Sequence, residues 1–201
     1  MKGLGTLLVV DGPSAVGKST IVRGLLTQNE VAFSLAKRVT TRERRAVEED
    51  EDIYEFVTHE NFRQTAEIGG FIEHKCYKFG MCYGLPKANV LERLTRGENL
   101  IAMINLGNIR MVKSVVPDAY GVFLSASLAT VRERLLRRGT HTPEQIEERL
   151  GNAALSLTFM PYYDLVTDSE KTPVENVIST ILRGFNQFRN SARRSASTIS
   201  P

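Results

Sequence analysis

The residues that most constrain this chain are Gly12-Pro-Ser-Ala-Val-Gly17-Lys18-Ser19. They follow a short apolar run, Leu7 to Asp11, that reads as a buried strand, and they precede a helical stretch from Lys18 to Leu26. Strand, glycine turn and helix in that order fit the pattern G-x-x-x-x-G-K-S/T, whose backbone N–H groups and helix N-terminus cradle phosphate oxygens. The pattern implies that Gly12, Pro13, Ser14, Ala15, Val16, Gly17, Lys18, Ser19 and Thr20 line the phosphates of ATP. Lys18 is expected to reach the β- and γ-phosphates, and the Ser19 hydroxyl to hold the Mg²⁺ that accompanies them. Ala15 is the odd residue of the loop: if its backbone needs a positive φ, its Cβ costs energy.

Composition excludes several other classes. Of 201 residues, 42% are hydrophobic and 24% charged, as in an ordinary globular protein. No apolar run approaches the ~18 residues of a membrane span, and the opening residues lack the pattern of a signal peptide. Membrane binding is therefore not expected, and the cytoplasm is the expected compartment. The net charge of +3 is too mild to imply nucleic acid. Two cysteines, Cys76 and Cys82, make neither a disulfide framework nor a metal-ligand spacing and read as small packing residues. His59, His74 and His141 are isolated.

Apolar runs at Leu100 to Ile104, Gly121 to Leu124 and Leu165-Val166 alternate with helical stretches at Lys87 to Thr95, Ile109 to Val115, Leu128 to Arg138 and Val174 to Phe188. Such alternation predicts an α/β fold of three layers, with a central parallel sheet flanked by helices as in P-loop NTPases. Thr142-Pro143 opens a further helix, with Thr as its N-cap. The stretch from about 33 to 96 breaks the alternation and reads as an insertion with its own small sheet. One domain is thus expected over 1–189, with its core in 1–32 and 97–189. The Ser/Arg-rich tail, 190–201, is expected to be disordered.

Several segments resemble the guanylate kinase family in order and spacing. They are Thr40-Thr41-Arg42 through Arg45 to Glu48, Tyr54-Glu-Phe56, Phe71-Ile-Glu73, Gly80 through Tyr83-Gly84-Leu85-Pro86, and Arg134 through Arg138 to Gly139 with Arg149. The resemblance covers about residues 7 to 168. It implies that the insertion binds an acceptor and that Arg42, Arg45, Tyr54 and Tyr83 hold the acceptor phosphate. Forked guanidinium bonds to a dianion make chemical sense of the two arginines. It also implies a lid at about 137–149, with Arg134, Arg138 and Arg149 closing over the ATP phosphates. Lys18, Arg45, Arg138 and Arg149 are the candidates for stabilising charge on the moving phosphoryl group.

The resemblance breaks at the positions that read guanine. Glu73 matches the glutamate that accepts from the ring. Leu85, however, stands where the family has Ser or Thr, Arg38 where it has Ser, and Met103 and Asn105 where it has Asp. Arg38, Leu85 and Asn105 also resemble the related ribose bisphosphate phosphokinases, so all three count with Glu73 as candidate acceptor residues. Three functions follow. The first is phosphoryl transfer from MgATP to a nucleoside monophosphate, GMP foremost. The second is the same transfer to a phosphorylated sugar or an unusual nucleotide. The third is a binding module without catalysis. The expected partners are ATP and one small phosphorylated acceptor, and the chain is expected to act as a monomer or homodimer.

Overall fold

The computed structural model describes residues 4–44, 53–78, 80–105 and 107–197. Five strands form the central sheet: β1 (Leu7–Asp11), β2 (Phe33–Leu35), β7 (Asn99–Met103), β8 (Tyr120–Ser125) and β9 (Leu165–Asp168). Their spatial order is β2-β7-β1-β8-β9, and every pairing is parallel. Parallel neighbours need crossover connections, and helices supply them.

Both faces of the sheet are covered, which is why its strands read as continuous apolar runs. Along β1, Leu8 and Val10 enter one core with α1 (Lys18–Leu26), α5 (Leu128–Arg138), α6 (Pro143–Leu157) and α7 (Val174–Ser197). Leu7 and Val9 face the opposite core with α3 (Lys87–Thr95) and α4 (Ile109–Val115). Three layers, as expected from the alternation, are the result. Among the described residues no helix is long and apolar enough to cross a membrane.

The insertion carries a second sheet in the order β4 (Tyr54–Phe56), β3 (Arg38–Thr40), β6 (Cys82–Pro86), β5 (Phe71–Cys76). The helix α2 (His59–Glu67) covers this sheet through Phe62, which packs with Val39, Phe71 and Cys82. The division differs from the expected one at both ends. Strand β2 pairs with β7 in the central sheet, and Val90 and Leu94 of α3 join the main core. Both had been assigned to the insertion, because three apolar residues and an amphipathic helix do not reveal which sheet they serve.

Two further expectations are corrected. Helix α7 continues to Ser197, through most of the tail expected to be disordered. That stretch contains neither glycine nor proline, so nothing in it stops a helix that has already started. Cys76 and Cys82 are joined in a disulfide rather than packed as separate thiols. They sit directly opposite each other on β5 and β6. Six residues of sequence separation become one cross-strand contact only once the hairpin register is set.

Candidate functional site

The phosphate loop lies where β1 ends and α1 begins. Gly12 has φ 145°, and a Cβ there would stand 2.4 Å from the Leu124 carbonyl oxygen. Glycine is thus required by both backbone and space. Ala15 has φ 62° and is the one described non-glycine residue in the left-handed region. The strain anticipated from sequence is present, and it sits inside the loop. Lys18 Nζ donates to the carbonyls of Gly12 at 2.6 Å and Pro13 at 2.9 Å, folding its side chain back across the loop.

Three cations face that amine from other elements. Burial pulls the Lys18 pKa down from 10.5 to about 8; Asp11 opposes the shift, and the positive charges of Arg38, Arg138 and Arg149 add to it. Such a cluster is costly without an anion, and the triphosphate of ATP has the charge to satisfy it. Arg149 on α6 donates from Nη1 to the Ser14 hydroxyl at 3.0 Å. Arg134 on α5 is placed differently: it donates to the Val16 carbonyl at 3.1 Å, to that of Ala15 at 3.4 Å and to that of Ser169 at 3.3 Å. It braces the loop from outside. A cavity of about 440 Å³ opens beside it, lined by Thr20, Ile21, Arg138, Thr172 and Val177 among others. It has room for the nucleoside end of ATP, and Ala15, Val16, Gly17 and Thr20, expected at the phosphates, lie on its wall.

The stretch expected as the lid, about 137–149, runs from the end of α5 into the first half of α6. Gly139 ends α5 at φ 63°, and Thr142 and Gln145 close a reciprocal capping box at the start of α6. Two well-capped helices with a short joint can move as a unit.

The acceptor lobe gathers most of the remaining candidates. Arg38 pairs with Tyr54 across β3 and β4, and Thr40 with Tyr83 across β3 and β6. The guanidinium of Arg42 lies 5.5 Å from the centre of the Tyr54 ring, and the Tyr54 and Tyr83 rings are 5.8 Å apart. The three side chains expected at one phosphate are therefore neighbours. Arg45, the fourth, lies outside the described residues. Glu73 is fully buried. Its Oε1 accepts from Arg38 Nη2 at 2.5 Å, and its Oε2 from the Asn108 amide at 2.8 Å. Burial pushes the Glu73 carboxyl up, while Arg38 and Asn108 pull it back toward the ionised form. Leu85 is fully buried and apolar beside them. Met103 is a core residue, and Asn105 lies half-buried just beyond the end of β7.

Three residues that sequence reasoning missed tie the site together. Asp11, wholly buried, accepts from the Gly12 N–H at 2.6 Å, from the Gly107 N–H at 2.9 Å and from the Tyr163 hydroxyl. Burial and Asp11 together push the Tyr163 hydroxyl pKa up, so it stays a donor. Asn108 follows Gly107, so one turn spans the phosphate loop and the acceptor pocket. An acidic residue closing an apolar strand was the available signal for Asp11; Asn108 and Tyr163 left none.

Among the described residues, no three His, Cys, Asp or Glu side chains are grouped so as to hold a metal ion. The Ser19 hydroxyl in the first turn of α1 suits a Mg²⁺ that arrives on the phosphates of ATP and keeps most of its waters.

This arrangement is shared with known proteins. The guanylate kinase family model matches residues 4–183. A guanylate kinase of Clostridioides difficile is 33% identical over 192 residues, spanning 92% of this chain and 93% of its own. One of Trichodesmium erythraeum is 37% identical over 177 residues, or 86% and 94% of the two chains. The crystal structure of guanylate kinase from Anaplasma phagocytophilum superposes with a TM-score of 0.68 at 25% identity, covering 94% of this chain and 87% of that one. With the match running through the phosphate loop, the acceptor lobe and the lid alike, the chain belongs to the guanylate kinase family.

Proposed function

We propose that this protein transfers the γ-phosphoryl group of MgATP to the phosphate of GMP, yielding ADP and GDP. An oxygen of the GMP phosphate attacks the γ-phosphorus as the bond to the β-phosphate oxygen breaks, and that oxygen leaves on ADP. The acceptor oxygen is already anionic, so no side chain need remove a proton. Positioning and charge neutralisation carry the reaction. Lys18, Arg138 and Arg149 supply positive charge at the donor, and Arg42, Tyr54, Tyr83 and Arg45 supply donors at the acceptor phosphate. Ser19 would hold the Mg²⁺ that accompanies ATP, which would draw off charge from the phosphates. The lid excludes water, which would otherwise compete as acceptor.

The observation that carries this reading is Glu73. Glu73 is fully buried and keeps one unused lone pair on each oxygen beyond Arg38 and Asn108, and the adjacent N1–H and N2–H of guanine would fill both. A second phosphate beside Glu73 would bring no donors for its two remaining lone pairs, which weighs against the sugar bisphosphate reading. The intact Gly17-Lys18-Ser19 weighs against a binding module without catalysis.

The test is a transfer assay with MgATP and GMP, dGMP, AMP, CMP, UMP or ribose bisphosphate, following ADP release and product mass together. GMP is expected to be the best acceptor, and Lys18→Ala to abolish the reaction. A faster reaction with ribose bisphosphate than with GMP would overturn the assignment.

A further inference from the structure

Arg38 is the most deeply buried cation described in the molecule, 1% exposed, and its hydrogen bonding is incomplete. Nη2 is bonded to Glu73, but Nε and Nη1 are buried with no partner. Unmet buried donors cost free energy, and in a ligand site they mark where the ligand's acceptors belong. Whichever Nη2 hydrogen Glu73 takes, one edge of the guanidinium keeps two parallel N–H groups, Nη1 with Nη2 or Nε with Nη2. That edge fits two adjacent acceptor atoms.

Glu73 limits what those acceptors can belong to. Arg38 and Asn108 occupy one lone pair on each of its oxygens, which leaves one more on each. The Arg38–Glu73 pair thus keeps two donors next to two acceptors. Guanine has the complementary pattern, with O6 and N7 as adjacent acceptors and N1–H and N2–H as adjacent donors. Adenine offers a donor where O6 would be, and a phosphate offers no donors at all. Leu85, whose side chain has no polar atom, supplies nothing to O6, so the donor must come from elsewhere.

We infer that Arg38 is a specificity-determining residue that binds guanine O6 and N7 through its unpaired edge while its other side holds Glu73 for N1–H and N2–H. This rests on the proposed function and names the contact by which the same site recognises its base. Reading by an arginine fork, as arginine reads guanine in nucleic acids, takes over the role of hydroxyl donors.

The experiment compares GMP with 7-deaza-GMP, which has carbon in place of N7, in steady-state assays of three proteins. These are the parent chain, Arg38→Lys, which keeps a charge opposite Glu73 but has no fork, and the double variant Arg38→Ser with Leu85→Ser. For the parent chain, KM for 7-deaza-GMP is expected to exceed that for GMP by about 10-fold or more, with kcat changed far less. In Arg38→Lys that ratio is expected to fall to about 2 or below. The double variant should still phosphorylate GMP with a reduced ratio, since its hydroxyls replace the fork. A purely structural role for Arg38 would change activity on both substrates alike and leave the ratio intact. Equal KM values in the parent chain, or an unchanged ratio in both variants, would overturn the inference. If either variant fails to fold, the parent ratio and the other variant decide. If the parent chain does not phosphorylate GMP at all, the proposed function falls first and this inference with it.

Discussion

Ala15 holds a left-handed backbone that glycine adopts freely and alanine does not. Ala15→Gly is therefore expected to stabilise the unliganded protein by about 0.5–1 kcal/mol, the relief of strain exceeding the entropy that glycine adds to the unfolded chain. Denaturant unfolding of the two proteins checks this, and a less stable glycine variant would show that the loop is not strained there. Lys18 gives a second prediction at the same scale. Its charged form is disfavoured by burial, so its pKa is about 8 rather than 10.5. In the free protein this penalty is present in full below about 8 and disappears as pH rises toward 10.5. Binding of ATP needs the charged amine. Affinity for ATP should hold steady at lower pH and weaken as pH climbs through about 8; calorimetric titration across that range is the check. Much at this scale was legible in sequence, because the loop motif states its own geometry and Ala15 stood out against it. Arg38 was picked out too, but not its bond to Glu73. That bond spans 35 positions and depends on strand pairing no local pattern reveals.

At the scale of elements, Arg134 and Arg149 are placed for two different tasks. Arg134 on α5 bonds to loop carbonyls, whereas Arg149 on α6 reaches the Ser14 side chain at the phosphate position. Arg149→Ala should lower kcat by about 10³-fold with a smaller change in KM, as expected for charge supplied to the transition state. Arg134→Ala should instead raise KM for ATP by about 10-fold, because the loop it braces is loosened. Steady-state kinetics with varied ATP separates the two, and matching effects on kcat would contradict the division. The disulfide belongs at this scale as well. It clips β5 to β6 just before the turn where the Lys78 N–H meets Glu148 of α6 at 3.3 Å. Reducing it should destabilise the fold by about 2 kcal/mol on the loop-entropy account, with thiol titration showing two cysteines after reduction and none before. The helices of the core and the capped start of α6 were readable from periodicity and capping residues. The edge strand β2 and the far end of α7 were not, because each depends on what it packs against or on what fails to stop it.

Across the whole molecule, the phosphate loop and the Arg38–Glu73 pair share one buried network. Asp11 holds the first N–H of the phosphate loop and the Gly107 N–H. The adjacent Asn108 holds Glu73, and Glu73 holds Arg38. Tyr163 secures Asp11 as well. On the proposed function, the ATP and GMP sites lie end to end and the second selects guanine. The most direct measurement is calorimetric titration with adenosine and guanosine joined through five phosphates, a molecule that fills both sites at once. The account predicts binding about 10²–10⁴-fold tighter than ATP or GMP alone, through the high effective concentration of the tethered end. It also predicts loss of that gain when cytidine replaces guanosine. Binding no tighter than that of ATP, or equal binding of the cytidine compound, would contradict it.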